Sequence, residues 1–256
     1  MFAWRLVGAS VRGRGHEAHG LPCQDAHGHA SAGEQTTIGV VADGAGSASH
    51  SDLGAKVAVQ AVITGCEGLP ESDASVEKWQ AALMALFQKA RVAVLEAARQ
   101  EVLPVRELAS TLLVFVARPE LIVAAQIGDG AVIGADQSGG LFAVTKPQSG
   151  EFINEVMFLT SSGAIDGLQF NLWRGAVAHV AAFTDGLQHR VLKLSDGTPH
   201  APFFLPLFKV LSEDTPRQAE ENLAEFLGSE SVRKRTDDDV TLLVASLAEG
   251  HGALPM

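Results

Sequence analysis

The order of elements along this 256-residue chain predicts an α+β fold, a four-layer αββα sandwich of two mainly antiparallel sheets covered by helix pairs. Three observations carry that expectation. Short β-branched, apolar segments succeed one another with only turn residues between them, which favours antiparallel pairing, because a parallel pair needs a long crossover. Segments with helical periodicity come in two pairs, and paired helices cover sheets as separate layers. The length suits one large core and is too short to demand two. The expected organisation is one domain over residues 1–247, followed by a flexible tail over 248–256.

Residues 4–11 form the first expected strand, ended by a Gly/Arg turn at 12–15 and a His/Gly-rich loop to about residue 29. Residues 36–42 (TTIGVVA) have the composition of a buried strand closed by Asp43-Gly44. A helix is expected to about Cys66, capped by Ser49 or Ser51. A long amphipathic helix follows over about 75–102, stopped by Pro104. Strands are expected at 110–117, 121–127, 131–135 and 141–144. Arg118-Pro119-Glu120 and Gly128-Asp129-Gly130 are the expected hairpin turns. Further strands are expected at 157–160, 169–174 and 179–184, helices at 202–211 and 216–227, and a last strand at 240–247.

The net charge of −11 argues against nucleic acid as a partner, and a phosphate ligand would need a local cation. Metals held by clustered acids would supply one and would explain part of the excess negative charge. Two cysteines, Cys23 and Cys66, make no zinc pattern and fit a reducing compartment. No signal peptide or membrane span is evident, so a soluble cytoplasmic monomer is expected, with no membrane partner.

Three apolar strands run directly into Asp-Gly, at Asp43-Gly44, Asp129-Gly130 and Asp185-Gly186, and Asp237-Asp238-Asp239 leads into the last strand. Asp25 lies in the loop before the second strand. Asp-Gly is also ordinary turn chemistry, since glycine accepts positive φ and aspartate bonds its own backbone. That explanation competes evenly at Asp129 and is weaker at Asp43 and Asp185, which lead towards a helix or a longer loop. Carboxylates at strand ends can converge on one cleft, and hard oxygen ligands select Mg²⁺ or Mn²⁺. Two such ions about 3.5–4 Å apart can share and activate a water.

Six short motifs spread over residues 15–244 resemble the protein phosphatase 2C family of metal-dependent phosphatases. They are GHEAHGLPCQDA (15–26), VADGAGSASHSDLGA (41–55), IGDGAVIG (127–134), GEFINEVMFLTS (150–161), FTDGLQ (183–188) and DDDVTLLV (237–244). Each is individually weak; number, order and spacing together are strong, and the first points to a bacterial branch. The resemblance implies hydrolysis of phosphoserine and phosphothreonine by a water activated at a dinuclear Mn²⁺ or Mg²⁺ site. It implies Asp43, bridging both metals, the Gly44 carbonyl, Asp185 and Asp238 as ligands, and Asp25 as support for metal-bound water. Asp129 matches the acid that some bacterial members use for a third, weaker metal. The phosphoprotein partner implied is a kinase or its target, in a kinase-opposing role.

Two departures stand out. The family's phosphate-gripping arginine is replaced by Gly20, so Arg12, Arg14 or His16 is the expected substitute. Ala45 occupies the place of a histidine often proposed as general acid. The missing arginine motivates a second reading, a weakly active or non-catalytic member that binds a phosphoprotein; a metal hydrolase of small phosphorylated metabolites is a third. Four histidines, His16, His19, His27 and His29, leave a zinc site open, with solvated loop or strand histidines as the alternative. Glu151 and Asn154 are expected to shape the substrate cleft or to make ordinary loop bonds. Cys23 is expected as a packed small side chain, with a redox role as the alternative.

Overall fold

A computed structural model describes residues 2–33, 35–148, 156–193, 195–213 and 215–249. The chain runs β1 (Phe2–Val11), α1 (Arg14–His19), β2 (Ala26–Ser31), β3 (Thr37–Ala42), α2 (Ser51–Gly65), α3 (Val76–Gln100), β4 (Leu112–Arg118), β5 (Leu121–Ile127), β6 (Ala131–Asp136) and β7 (Leu141–Ala143). It continues with β8 (Gln169–Arg174), β9 (Val177–Phe183), α4 (Gln188–Val191), β10 (Leu192–Lys193), β11 (Thr198–Pro199), α5 (Ala201–Glu213), α6 (Pro216–Leu227), α7 (Glu230–Arg233) and β12 (Val240–Glu249). Two five-stranded sheets, ordered β1-β12-β9-β6-β7 and β2-β3-β4-β5-β8, pair antiparallel throughout. The expected sandwich is therefore present.

Alternation within the strands explains the layers. On β4, Leu112, Val114 and Val116 pack towards α2 and α3, whereas Leu113, Phe115 and Ala117 pack between the two sheets. Successive residues on a strand point to opposite faces, so a strand buried on both sides must be apolar at every position. The outer core under α2 and α3 includes Trp79, Leu83, Phe87 and Val94, spaced as one helix face. The third core, beneath α5 and α6, uses Phe204, Phe208, Leu223 and Leu227 against β9 and β12. Each such buried side chain contributes roughly 1.5–3 kcal/mol of transfer free energy. Ser75 caps α3 by accepting from Lys78 N, and Thr215 caps α6 by accepting from Gln218 N.

Several local expectations are corrected. The loop expected between residues 12 and 29 contains α1 and the start of β2. Neither Ser49 nor Ser51 caps α2: His50 occupies the cap position without a side-chain bond, and the Ser49 hydroxyl donates to Glu107. Residues 157–160 form no strand. Leu159 is buried, its N–H donates to the Ser110 carbonyl, and Arg91 donates to the carbonyls of Leu159 and Ser161. Those bonds engage both backbone groups of Leu159, at the centre of the expected strand, and leave it nothing for a ladder. Gly128-Asp129-Gly130 is no hairpin turn either, because β5 and β6 belong to different sheets. The last strand extends to Glu249, past the expected boundary at 247. Glu151, Asn154 and residues 250–256 lie outside the described residues, as does much of the GEFINEVMFLTS motif. Among the described residues no helix is long and apolar enough to cross a membrane.

Candidate active site

Antiparallel register brings the strand-end acids together. Val11 pairs with Val240, Leu242 with Phe183, and Phe183 with Ala131. In the other sheet Ala26 pairs with Ala42, and Leu112 with Ile127. The ends of β3, β5 and β9 and the beginnings of β2, β4 and β12 therefore share one edge of the sandwich. Asp25, Asp43, Asp129, Asp185 and Asp237 to Asp239 all lie there. The sheet-to-sheet crossing at Gly128-Asp129-Gly130 carries Asp129 to the same edge, which turn chemistry alone did not require.

The carboxylates feel one another. Burial pushes the Asp25 carboxyl up to about 8, opposed by bonds from Thr241 and Thr184 and reinforced by Asp239 and Asp185. Asp43 is raised well above the usual range by burial, then by Asp25 and Asp185, whose carboxyl hydrogen-bonds it, and by Asp238. Asp129 rises to about 6 through burial and the charges of Asp185 and Asp238, and Asp238 rises through burial and Asp185. Like charges forced together favour the neutral form of each. Thr184 Oγ1 donates to Asp25 Oδ2 at 2.8 Å, while Asp25 Oδ1 and Asp185 Oδ1 are buried without a hydrogen-bond partner.

Asp239 differs from Asp238. It is 2% exposed, with Oδ1 accepting from Gly13 N at 2.7 Å and Oδ2 from Gln24 N at 2.5 Å. His16 Nδ1 also lies 2.9 Å from Asp239 Oδ1, close enough for an ion pair although its angle is poor for a hydrogen bond. Asp239 thus fastens the turn before α1 and the segment leading to Asp25, and turns His16 towards the acids. Asp238 keeps a carboxylate near Asp185, with Oδ1 accepting from Asp239 N at 2.8 Å. Arg14 pairs with Glu230 at 2.5 Å, and Arg12 donates to the Leu21 carbonyl at 3.3 Å.

The glycines after the aspartates are needed for space, not for φ. None of Gly44, Gly130 and Gly186 has positive φ, whereas Gly128 does, at 116°. A Cβ on Gly186 would lie 2.1 Å from the Asp239 carbonyl oxygen, and one on Gly44 would lie 2.7 Å from the Gln24 carbonyl oxygen. Backbones of separate strands approach too closely there for any side chain.

Among the described residues, no three His, Cys, Asp or Glu side chains already stand in ligating geometry. The donor chemistry nevertheless fits hard divalent cations: clustered carboxylates of raised pKa, with two buried oxygens lacking any donor. The histidines do not make a zinc set. His19 Nδ1 meets the Gly15 carbonyl, and His27 Nδ1 meets Ser10 Oγ. Burial beside Asp239 and Asp25 pushes the Cys23 thiol up to about 12, which makes it a poor nucleophile and leaves packing as its role.

The sequence pattern of protein phosphatase 2C matches residues 12–228. The chain belongs to the protein phosphatase 2C family. As a member it is a metal-dependent serine/threonine protein phosphatase. It is 38% identical over 255 residues to serine/threonine-protein phosphatase 3 of Escherichia coli (strain K12), covering 96% of this chain and 100% of that one. Solved structures share the fold. The Staphylococcus aureus serine/threonine phosphatase Stp1 aligns with a TM-score of 0.64 at 15% identity, over 98% of this chain and 96% of that one. The catalytic domain of the phosphatase PstP, in complex with 2 manganese ions, aligns with a TM-score of 0.59 at 17% identity, over 97% and 100%.

Sequence reasoning missed the role of two threonines in this phosphatase. Thr184 and Thr241 hold Asp25 from neighbouring strands, and Thr241 Oγ1 reaches Ser10 Oγ at 2.7 Å. A hydroxyl next to an Asp-Gly or inside DDDVT was the available signal. Asp239 as an anchor for the α1 turn left no signal, since its partners are backbone amides at Gly13 and Gln24.

Proposed function

We propose that Asp43, Asp185 and Asp238, with the Gly44 carbonyl, would hold two divalent metals in this phosphatase, Asp43 being the ligand common to both sites. The observation that carries the proposal is the convergence of these acids at one sheet edge, where Asp185 and Asp238 raise the pKa of Asp43 and Asp185 raises that of Asp238. The manganese bound in the PstP catalytic domain favours Mn²⁺ over Mg²⁺ and supports two ions. Asp129, further along the same edge, is the proposed ligand for a third, weaker ion. Bound there, the metals supply charge neutralisation for phosphoryl oxygens and acidification of a water.

The chain's own groups do the rest. Asp25, held at Oδ2 by Thr184, has Oδ1 left without a partner and would support a metal-bound water there. His16 is the favoured phosphate contact, because it faces the acids through Asp239. Arg12 and Arg14 serve this purpose only by leaving Leu21 and Glu230. The substrates are phosphoserine and phosphothreonine in proteins, in line with the name of the Escherichia coli relative, and the role is opposition to a bacterial kinase. Residues up to Glu249, the end of the last strand, act as one monomeric cytoplasmic unit.

The discriminating assay is hydrolysis of para-nitrophenyl phosphate and a phosphothreonine peptide with Mn²⁺, with EDTA as control. Activity is expected with Mn²⁺ and lost with EDTA or in Asp43→Asn. Wild-type-like turnover by Asp43→Asn would sink the ligand assignment. A second reading, a weakly active phosphoprotein-binding member, is favoured by one observation: both arginines near the site bond elsewhere. Phosphopeptide binding without turnover would select it.

A further inference from the structure

A cavity of about 470 Å³ opens between α5 and α6, on the outer face of the β1-containing sheet. Its walls are largely apolar, with Phe203, Leu207 and Val210 on α5 and Phe226 on α6, and His200 and Asn222 add polar groups. Phe203, Leu207 and Val210 recur at helical spacing. Helix α5 is unusually greasy for a surface helix, and Leu205 and Val210 are 44% and 47% exposed. Pro206 interrupts it and has no N–H to bond the Pro202 carbonyl.

Two arginines, Arg190 and Arg235, also line the cavity. The nearby acids are already engaged: Glu230 with Arg14 and Lys234, Glu17 with Arg233. Among the described residues no carboxylate pairs with Arg190 or Arg235. Arg190 Nε is buried without a partner, although its NH1 donates to the Ser231 carbonyl at 2.7 Å. Burial and the charge of Arg235 lower the Arg190 pKa. Two adjacent cations without an acid are conspicuous in a protein of net charge −11. Arg190 follows Asp185 by five residues and Arg235 precedes Asp238 by three, so the chain itself keeps the two cations within about 18 Å and about 11 Å of those acids, Cα to Cα.

We infer that this groove docks a segment of the phosphoprotein substrate: an amphipathic stretch with apolar residues at helical spacing and a carboxylate that meets Arg190 and Arg235. The inference rests on the phosphatase reading for its biological context. An apolar helix face laid into a groove between helices, with a charged pair fixing its direction, is a common peptide-recognition mode. The carboxylate answers the two cations, and the apolar face answers Phe203, Leu207, Val210 and Phe226.

The test is fluorescence anisotropy with a labelled peptide of Leu and Phe at helical spacing, ending in glutamate, and its counterpart ending in lysine. The glutamate peptide is expected to bind the wild type, and the lysine peptide roughly tenfold more weakly. Arg235→Glu and Val210→Glu, both at exposed positions, are each expected to weaken glutamate-peptide binding about tenfold, with unchanged para-nitrophenyl phosphate turnover. No binding by the wild type, equal binding of the two peptides, or variants that bind as the wild type does would overturn the inference. Binding of decanoate with no binding of either peptide would overturn it too, in favour of a lipid-like anion. Failure of the wild type to hydrolyse para-nitrophenyl phosphate would count against the phosphatase reading alone, since the binding measurement needs no turnover.

Discussion

Replacing Asp43 with asparagine should separate what the acidic cluster costs the fold from what it gives to metal binding. Asp43 sits among Asp25, Asp185 and Asp238, and each raises its pKa. Two unit charges about 4 Å apart repel by about 4 kcal/mol at an effective dielectric near 20. Sharing protons relieves part of that, so one neutralised member should stabilise the metal-free protein by about 1–2 kcal/mol at neutral pH. For a chain of this size that is about 2–8 °C in Tm. With metal the order reverses. Mn²⁺ at a hundred times its Kd should stabilise the wild type by about 2.7 kcal/mol per site, and the variant far less. Scanning calorimetry of both proteins, in EDTA and in Mn²⁺, reads all four states. A variant less stable than the wild type in EDTA, or equally stabilised by Mn²⁺, refutes the placing of Asp43 at the centre of the cluster.

Other perturbations test the surroundings. His16→Ala should lower kcat/KM for a phosphopeptide roughly 10–100-fold through KM, while Arg14→Ala, which breaks only an exposed pair with Glu230, should change stability by less than about 1 kcal/mol and leave kinetics alone; steady-state kinetics would reassign the phosphate contact if the two results were exchanged. Gly186→Ala puts a Cβ 2.1 Å from the Asp239 carbonyl oxygen, and should cost about 1–3 kcal/mol and weaken Mn²⁺ binding, as read by thermal unfolding with and without metal. His179 is held neutral by burial, its pKa lowered from 6.5 to about 4. A depressed histidine binds fewer protons folded than unfolded, so its contribution is present above about pH 6.5 and lost as pH falls towards about 4. Discounted for partial exposure, the loss is about 1–2 kcal/mol, and His179→Phe, stacking on Phe208 in its place, should flatten that part of the denaturation profile.

How much was legible from the residues can be judged element by element. Residues 121–127 and 216–227 were expected as a strand and a helix with the bounds found. Their periodicity and caps are local properties, and tertiary contacts reinforce them. Helix α1 was invisible to periodicity because it buries no residue; Gly20, at a φ of 67°, ends it, and the bond from Gly15 N to the Asp237 carbonyl, 2.8 Å long, fastens it. Residues 157–160 have strand composition, but a guanidinium from α3 and one amide bond to Ser110 claim the backbone first.

By itself the sequence determined the layer order, the family resemblance and the set of strand-end aspartates, because alternation, helical spacing and Asp-Gly punctuation are written along the chain. Only the tertiary structure decided which aspartates face which. Asp129 reached the cluster because β5 and β6 lie in different sheets, a partition that local turn chemistry does not encode. Asp238 and Asp239 are identical neighbours in sequence. They parted because the Gly13 and Gln24 amides, 226 and 215 residues away, claim one carboxylate and leave the other beside Asp185. Such partners come from strand register, which is set by packing over the whole sandwich.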